Sequence, residues 1–432
     1  MVEAAEAPAT DRPRWPAIGA WCLYDWANSA FNTVVLTFVF SVYFAKGVVG
    51  DEAAGSGQWG IAIGLAGLIV AFTSPVLGAI ADHAGARKPW LALFTAITVL
   101  ATAALWFAEP DPGFALYVLA LVIIASVTFE WGQVFYNAML TGVAPTAMTG
   151  RISGWGWGLG YFGGLGCLAL CLTLLIQPDP PMFGLDKGAQ EPVRATALLV
   201  AVWFALFSLP LFLAPVERRG DSVGLGDAVA RGLKQLRASL VELWQQRNLL
   251  RFLIASALYR DGLGTLFAVG GLYAAGTFGM EFDEILIFAI GLNVTAGLGA
   301  ALFAWVDDWV GPKPTILLAL AGLIGLGTAT LLVTDKTVFM ALALGLGIFV
   351  GPAQAASRSM LARLSDPAQV TEMFGLYALT GKSIAFLGPL LFGVVTTATD
   401  SQRWGMATII VFLAAGALLL LTVRPPAKQT SQ

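Results

Sequence analysis

The sequence predicts an all-α integral membrane protein in which twelve transmembrane helices form two related six-helix bundles. Three observations lead to this prediction: the composition, a series of long apolar stretches and an internal repeat. Of the 432 residues, 57% are hydrophobic and 12% are charged, whereas soluble domains carry about 25% charged residues. A surface in water needs more polar residues than this chain provides. A bilayer is therefore the solvent that suits its composition.

The apolar stretches are long enough to cross a bilayer as helices, which takes roughly 20 residues each. A transmembrane barrel would show alternating strands of about ten residues instead, a pattern that the sequence does not contain. The predicted spans lie near residues 17–45, 57–80, 90–108, 114–144, 152–176, 195–214, 250–278, 283–306, 314–334, 337–361, 373–398 and 403–423. They divide the chain into a cytoplasmic tail (1–16), an N-terminal bundle (17–214), a linker (215–248), a C-terminal bundle (249–423) and a second tail (424–432).

The linker between the bundles is hydrophilic but carries apolar residues at helical spacing, from Leu225 to Leu243. Arg231, Lys234 and Arg237 belong to the same stretch. This pattern predicts an amphipathic helix on the cytoplasmic surface of the membrane. A plain linker is the simpler role for this helix, and binding of a partner is the alternative.

Basic residues concentrate on one side of the predicted membrane, and cytoplasmic loops are the ones that favour Lys and Arg. With the N-terminus inside, the inner loops hold Arg87, Lys88, Arg151 and Lys313 among others. We therefore expect an inner-membrane protein with both termini in the cytoplasm. The single histidine, His83, lies in a loop, so we expect no metal site and no cofactor. Proton chemistry inside the membrane would fall to carboxylates.

An internal repeat relates the two bundles. Two groups of polar or glycine positions recur with nearly the same spacing, which apolar similarity alone does not explain. In the first group, Asp82, Gly85 and Arg87 correspond to Asp308, Gly311 and Lys313; in the second, Gln133, Asn137 and Gly154 correspond to Gln354, Arg358 and Gly375. Two six-helix halves related in this way are a recurring plan among transporters.

The loop from Gly78 to Lys88, with Asp82, Gly85 and Arg87, resembles the signature between helices 2 and 3 of the major facilitator superfamily. Further runs resemble its unknown-major-facilitator branch, which includes the fungal vacuolar amino-acid effluxers linked to autophagy. These runs are Tyr24-Asp25-Trp26-Ala27-Asn28-Ser29-Ala30-Phe31, Ser357-Arg358-Ser359 and Phe374-Gly375-Leu376-Tyr377 with Lys382. The resemblance covers essentially the whole chain. It implies the major facilitator fold and a gating role for Asp82, Gly85, Arg87, Lys88, Asp308 and Lys313; solvated loop charges are the alternative.

Ionisable residues inside a span cost roughly 2.5–3.5 kcal/mol each at the centre, so they indicate pathways or buried partners. In the first span Asp25, Asn28, Ser29 and Asn32 share one helical face at i, i+3, i+4 and i+7. This polar stripe predicts a cavity or a helix contact. Asp25 is the candidate for carrying a proton or binding a substrate amine, and a structural carboxylate is the alternative.

The fourth span repeats this pattern with Glu130, Gln133 and Asn137. Glu130 lies near mid-membrane, where a charge is costly, and is a candidate for proton coupling or for a neutral structural role. In the tenth span, Gln354 and Arg358 come together. A guanidinium grips carboxylates with two donors, so Arg358 is a candidate for binding a substrate carboxylate.

A structural pair of Arg358 with Asp366 or Glu372 near the cytoplasmic end is the rival interpretation. In the seventh span Tyr259, Arg260 and Asp261 are adjacent, and neighbouring helical residues point in different directions. We expect Arg260 and Asp261 to meet different partners. Lys382 in the eleventh span is expected to pair with Asp261 or to attract an anionic group.

The predicted function is secondary active transport of a small polar solute by alternating access, coupled to protons. The mixture of intramembrane acids and bases favours a solute with an amine and a carboxylate, such as an amino acid or a short peptide. The alternatives are an exporter of a weakly acidic or drug-like compound, and a non-transporting receptor on the same fold. No enzyme motif, Walker loop or nucleic-acid signature is found in the sequence. The expected partners are the solute, protons and the bilayer, without nucleic acid, and we expect a monomer.

Overall fold

The computed structural model describes residues 13–84, 87–214 and 225–425, and these ranges are helical apart from short connections. Within these described ranges, twelve helices are long and apolar enough to cross a membrane, which confirms the predicted fold class. They are α1 Trp15–Val49, α2 Glu52–His83, α3 Lys88–Phe107, α4 Pro112–Val143, α5 Thr146–Ile176, α6 Glu191–Leu213, α7 Arg247–Phe278, α8 Glu284–Val310, α9 Pro312–Leu332, α10 Lys336–Leu364, α11 Val370–Thr399 and α12 Gln402–Leu421.

Because the twelve helices alternate in direction, α1 begins and α12 ends on the same face of the molecule. We call this the inner face, and the opposite one the outer face. Arg87, Lys88, Arg151 and Arg363 all lie at inner helix ends. Gly85 of the predicted gating loop lies outside the described residues, as do positions 1–12, 215–224 and 426–432.

The two halves, α1–α6 and α7–α12, meet along two helix pairs that the sequence repeat relates to each other. The helix α2 packs along the first part of α11, and α5 packs along α8. Glycines allow the close approach: a Cβ on Gly154 would lie 2.5 Å from the Ala304 Cβ, and one on Gly375 would lie 2.6 Å from the Ser74 carbonyl oxygen. Small residues at helix contacts are typical of membrane proteins.

The helix α11 is broken at mid-membrane, where the sequence predicted one continuous span. Its two parts are Val370–Ile384 and Leu387–Thr399. Pro389 explains the position of the break, because proline lacks an N–H and its ring clashes with the carbonyl four residues earlier, here that of Ala385. The break leaves backbone groups in the membrane interior that need partners.

A linker helix, Leu225–Gln245, lies between α6 and α7, inside the segment for which the sequence predicts an amphipathic helix. It packs against α2 at the inner face. Gly232 makes the closest approach, since a Cβ there would lie 2.8 Å from the backbone of Ile80. The linker helix therefore touches the end of α2 that carries Asp82.

Candidate functional site

A cavity of about 560 Å³ lies between the two halves. Its lining includes Ile285, Thr330 and Phe339, which lie near the outer ends of α8, α9 and α10. Toward the inner face, the lining ends near Trp157 of α5 and Gln354 of α10. The cavity therefore occupies the outer half of the molecule.

Uncharged polar groups and aromatic rings form the cavity wall. Ser29 and Asn32 come from the polar stripe of α1, Asn293 from α8 and Gln354 from α10. Among the residues that the structure describes, no charged side chain lines this cavity. Volumes of 300–1,000 Å³ are usual for small-molecule sites, so the wall suits a small solute that hydrogen-bonds with amides and hydroxyls.

Below the cavity floor, Arg358 of α10 enters a pocket made by the other half. Its Nη1 donates to Asp25 Oδ2 at 3.0 Å and to Asn137 Oδ1 at 3.2 Å. Its Nε donates to Ser153 Oγ at 2.9 Å, and its Nη2 to the Ser153 carbonyl oxygen at 2.6 Å. The guanidinium carbon lies 4.7 Å from the centre of the Trp21 ring.

This arrangement differs from both interpretations of Arg358 drawn from the sequence. Its carboxylate partner is Asp25 rather than Asp366 or Glu372. Its donors are engaged by residues of the N-terminal half, so in this state it does not clasp a solute. Trp157 separates it from the cavity, lining the floor while its ring lies 5.7 Å from the guanidinium. Arg358 therefore joins the two halves beneath the cavity.

Asp82 makes a second contact between the halves at the inner face. Its carboxylate accepts hydrogen bonds from the backbone N–H groups of Thr371, at 3.3 Å, and Glu372, at 2.9 Å. These residues form the first turn of α11, so Asp82 caps a helix of the other half, where backbone donors are otherwise unsatisfied. Arg87 pairs with Asp82 at 3.2 Å and also donates to Thr371 Oγ1.

Asp308 makes the equivalent contact in the reverse direction. It accepts from the N–H groups of Gly150, at 2.8 Å, and Arg151, at 3.2 Å, in the first turn of α5. The Arg151 and Arg363 side chains pair with the same carboxylate at 2.7 and 3.2 Å. The repeat in the sequence thus becomes two reciprocal helix caps, which hold the inner ends of the halves together.

Lys88 and Lys313 act within their own halves instead. Lys88 donates to the Ala214 carbonyl oxygen at the end of α6, and Lys313 to those of Leu421 and Val423 at the end of α12. The repeat aligned Lys313 with Arg87, but the contacts of Lys313 resemble those of Lys88. Lys313 corresponds to Lys88, since both satisfy carbonyl groups at a helix C-terminus.

A third contact between the halves lies deeper in the membrane. Lys382 Nζ of α11 donates to Glu130 Oε1 of α4 at 2.6 Å. The expected pair of Lys382 with Asp261 is not formed. Both side chains remain about one-third exposed, 31% for Lys382 and 32% for Glu130, whereas those of Asp25 and Arg358 are buried.

Arg260 and Asp261 point to different neighbours, as expected for adjacent helical residues. The Asp261 carboxylate accepts the Gly388 N–H at 2.9 Å. Gly388 opens the second part of α11, so Asp261 caps the half-helix created by the break. Arg260 lies over the Tyr377 ring at 4.0 Å and donates to the Tyr377 carbonyl oxygen at 3.2 Å.

The polar stripe of α1 serves two places. Asp25 and Asn28 are buried beside the Arg358 pocket, with Asn28 Nδ2 3.5 Å from Asp25 Oδ1, whereas Ser29 and Asn32 reach the cavity. Among the other predicted site residues, Gln133 is half-buried on α4, and Tyr259 is buried and hydrogen-bonds to Ser357 Oγ at 2.6 Å.

Ser153 and Thr371 are contact residues between the halves that the sequence did not indicate. Both are small hydroxyl residues at helix contacts, and no charge or spacing marked them in the sequence.

Comparison with known proteins agrees with this architecture. Solved major facilitator structures align over nearly the whole chain at low identity. They include the fucose transporter FucP in an outward conformation (TM-score 0.73, 14% identity, 94% of this chain and 98% of that one) and the proton:xylose symporter XylE (0.71, 15%, 95% and 96%). These matches confirm the predicted major facilitator fold.

Proteins with related sequences identify the family more narrowly than these structures do. The MFS-type transporter YxiO of Bacillus subtilis is 27% identical over 94% of both chains. Autophagy-related protein 22 of Cryptococcus neoformans is 28% identical over 61% of this chain and 48% of its own length. The match spans about half the length of the fungal relatives. The model of the family described as "Vacuole effluxer Atg22 like" matches residues 59–147 and 141–430.

The family model and the relatives in sequence, together with the fold, indicate a membrane transporter of the major facilitator superfamily rather than an enzyme. Within that superfamily, the chain belongs to the Atg22-like effluxer family. The resemblance drawn from the sequence is confirmed.

Proposed function

We propose that this protein is a secondary active transporter that moves a small polar solute by alternating access, coupled to protons. One observation carries the proposal: the cavity lies toward the outer face, while charged and capping contacts between the halves close the inner face. Contacts of this kind, present in one state and broken in the other, are a common switching device.

The solute class that this site supports best is an amino acid or a short peptide. The cavity wall offers amide and hydroxyl groups. Beneath it, the cleft between the halves carries both an acid, Glu130, and the bases Lys382 and Arg260. A solute with an amine and a carboxylate matches such a mixture. The described residues that line the cavity come from both halves of one chain, and the working unit that we propose is a monomer.

Glu130 is the residue that we propose for proton coupling. It is partly exposed, and its partner Lys382 belongs to the other half. Protonation of Glu130 would remove this ionic contact between α4 and α11 and would ease their separation. The Asp25 carboxylate is buried against Arg358, which favours a structural role in closing the inner face over direct proton exchange.

The inner face is proposed to be cytoplasmic, in the inner membrane. Arg87, Lys88, Arg151, Lys313 and Arg363 lie at inner helix ends, where the bias of basic residues toward the cytoplasm would place them.

Purified protein in liposomes tests the proposal. A panel of labelled amino acids, short peptides and other metabolites is offered with and without an imposed pH gradient. The expected result is uptake of at least one zwitterionic solute that the gradient accelerates. Glu130→Gln should abolish the acceleration but retain exchange of labelled for unlabelled solute, since exchange needs no net proton movement. Glu109→Gln, at an exposed acid between α3 and α4, is the control.

Two results would contradict the proposal. If no solute in the panel enters the liposomes, the protein is not the carrier described here, and a receptor role gains support. If the pH gradient acts equally on Glu130→Gln and wild type, Glu130 does not couple protons.

A further inference from the structure

Arg260 lies in the membrane interior, and no acid among the described residues pairs with it. It lies 13 residues beyond the first residue of the 32-residue helix Arg247–Phe278 and is half-buried. It contacts the ring and the carbonyl oxygen of Tyr377. No carboxylate of the described residues lies within 4.0 Å of it, whereas Arg358 has Asp25 at 3.0 Å. A guanidinium has five N–H donors, so Arg260 keeps donors for a ligand.

Arg260 shares a helix face with residues that line the cavity. Arg260, Gly264, Phe267 and Gly271 recur at i, i+4, i+7 and i+11, which places them on one face of α7. Phe267 and Gly271 line the cavity. A Cβ on Gly264 would meet no heavy atom within 4 Å, so the space above Arg260 is open. The same face therefore runs from the cavity down to the guanidinium.

The neighbouring surface of α11 makes room for this side chain. Tyr377 and Gly381 are one turn apart on α11, and Arg260 lies over both. A Cβ on Gly381 would lie 2.9 Å from Arg260 Nη1, so a larger residue there would displace the guanidinium. The aromatic ring below stabilises the cation and fixes the plane of its donors, which prepares them for a planar, two-oxygen acceptor.

The local charge is positive. Lys382, next to Gly381, is matched by Glu130, and Asp261 turns away to cap Gly388. Arg260 adds a cation that no acid of the described residues contacts. A cation kept in a low-dielectric environment is costly, and an anionic ligand in the cleft would offset that cost.

We infer that Arg260, supported by Tyr377 and flanked by Lys382, is the subsite that binds the carboxylate of the transported solute. This inference rests on the proposed function and assigns the role that the sequence suggested for Arg358 to a different arginine. The carboxylate accepts two N–H donors from Arg260. Solutes without an anionic group lack this interaction.

A labelling experiment tests the charge of the subsite without any transport. Gly264→Cys places a thiol one turn from Arg260, while the native Cys22, Cys167 and Cys171 are buried. Reaction rates are measured in the full-length protein with an anionic and a cationic methanethiosulfonate reagent. Charges about 6 Å apart interact strongly at a protein surface, so Arg260→Gln should lower the anionic-to-cationic rate ratio by about tenfold or more.

Arg403→Gln is the matched control for this experiment. Arg403 also lies near an aromatic ring, 5.7 Å from that of Phe278, and donates to a backbone carbonyl group, that of Leu331, but it sits at the outer end of α12. The Gly264→Cys ratio should not change with Arg403→Gln. An equal ratio in the Arg260→Gln and wild-type backgrounds would overturn the inference.

Transport in liposomes supplies the second test. For a solute that the wild type carries, Arg260→Gln should raise the KM of the carboxylate form by about tenfold or more, the change that ~1.4 kcal/mol produces. Arg260→Lys keeps the positive charge but loses the paired N–H donors of the guanidinium, so its KM should lie between those of the wild type and Arg260→Gln. An unchanged KM in Arg260→Gln, or a carried solute without an anionic group, overturns this inference alone. If the wild type carries nothing, the proposed function fails, and the labelling ratio still reports on the subsite.

Discussion

Replacing Asp25 by Asn removes the carboxylate that neutralises Arg358 beneath the cavity. Arg358 Nη1 lies 3.0 Å from Asp25 Oδ2, and only 5% of the Arg358 side chain and 10% of the Asp25 side chain are exposed. At an effective dielectric constant of about 20, charges at this distance attract by ~5.5 kcal/mol. Arg358 keeps its hydrogen bonds to Ser153 and Asn137, which do not supply a counter-charge. The expected loss is about 3–5 kcal/mol, as for other buried pairs that lose one partner.

This loss of stability affects the state that is closed at the inner face. When the halves separate there, water reaches Arg358 and the missing carboxylate matters little. Asp25→Asn should therefore shift the equilibrium toward the inner-open state by roughly two to four orders of magnitude. Spin labels at Ala147 and Ala368, exposed positions in the inner loops of the two halves, report the opening as a distance. We expect a short distance in the wild type and a longer one in the variant.

Two further variants isolate the ion pair. Asp51→Asn alters an exposed acid outside the inner face, one that accepts the Ala54 N–H, and should leave the distance unchanged. Asp25→Asn combined with Arg358→Gln removes both charges and should recover part of the short-distance population. If Asp25→Asn keeps the wild-type distance distribution while folded, the pair does not hold the inner face closed, and the reasoning is refuted.

Three other predictions concern helix contacts. Asp82→Ala and Asp308→Ala each remove a cap on a helix of the other half. Each should destabilise the inner-closed state by about 1 kcal/mol and lengthen the Ala147–Ala368 distance in a larger fraction of molecules. A change in only one of the two variants would contradict the equivalence of the two caps. Gly154→Val adds a Cβ that would lie 2.5 Å from the Ala304 Cβ, so the same distance should lengthen, whereas Leu159→Val at an exposed position of α5 should have no effect. Asp261→Ala leaves the Gly388 N–H without its acceptor and should lower the unfolding free energy by about 1–3 kcal/mol; a thermal midpoint equal to that of the wild type would show that this cap is dispensable.

The sequence was sufficient for the helices and for their polar faces. Spacing alone grouped Asp25, Asn28, Ser29 and Asn32, and the structure places all four between the halves, because a polar stripe cannot face lipid. The repeat paired Asp82 with Asp308, and these two residues make the same contact in opposite halves. Such relations depend on helical periodicity and on duplicated sequence, which a single chain displays directly.

The sequence did not predict which partners the charged residues inside the membrane contact. Arg358 pairs with Asp25 and Lys382 with Glu130, across halves whose relative rotation and depth no local pattern encodes. The repeat held a partial clue, since Arg358 aligns with Asn137, and the two touch at 3.2 Å in the structure.

The break in α11 did have a local signal in Gly388-Pro389. The apolar residues on both sides of it favoured a continuous helix, and one unbroken span was therefore predicted. Proline inside the span was the stronger physical argument, because it removes a donor and excludes the carbonyl of the preceding turn.

Alternating access requires a cavity that is exposed at one face at a time, and a pair of distances measures this exposure most directly. One pair of spin labels joins Ala147 and Ala368 at the inner face; the other joins Glu109 and Thr334, exposed positions in outer loops of the two halves. In liposomes, Asp25→Asn should lengthen the inner distance and shorten the outer one together. Inner and outer distances that both lengthen, or that change independently, would contradict alternating access in this protein.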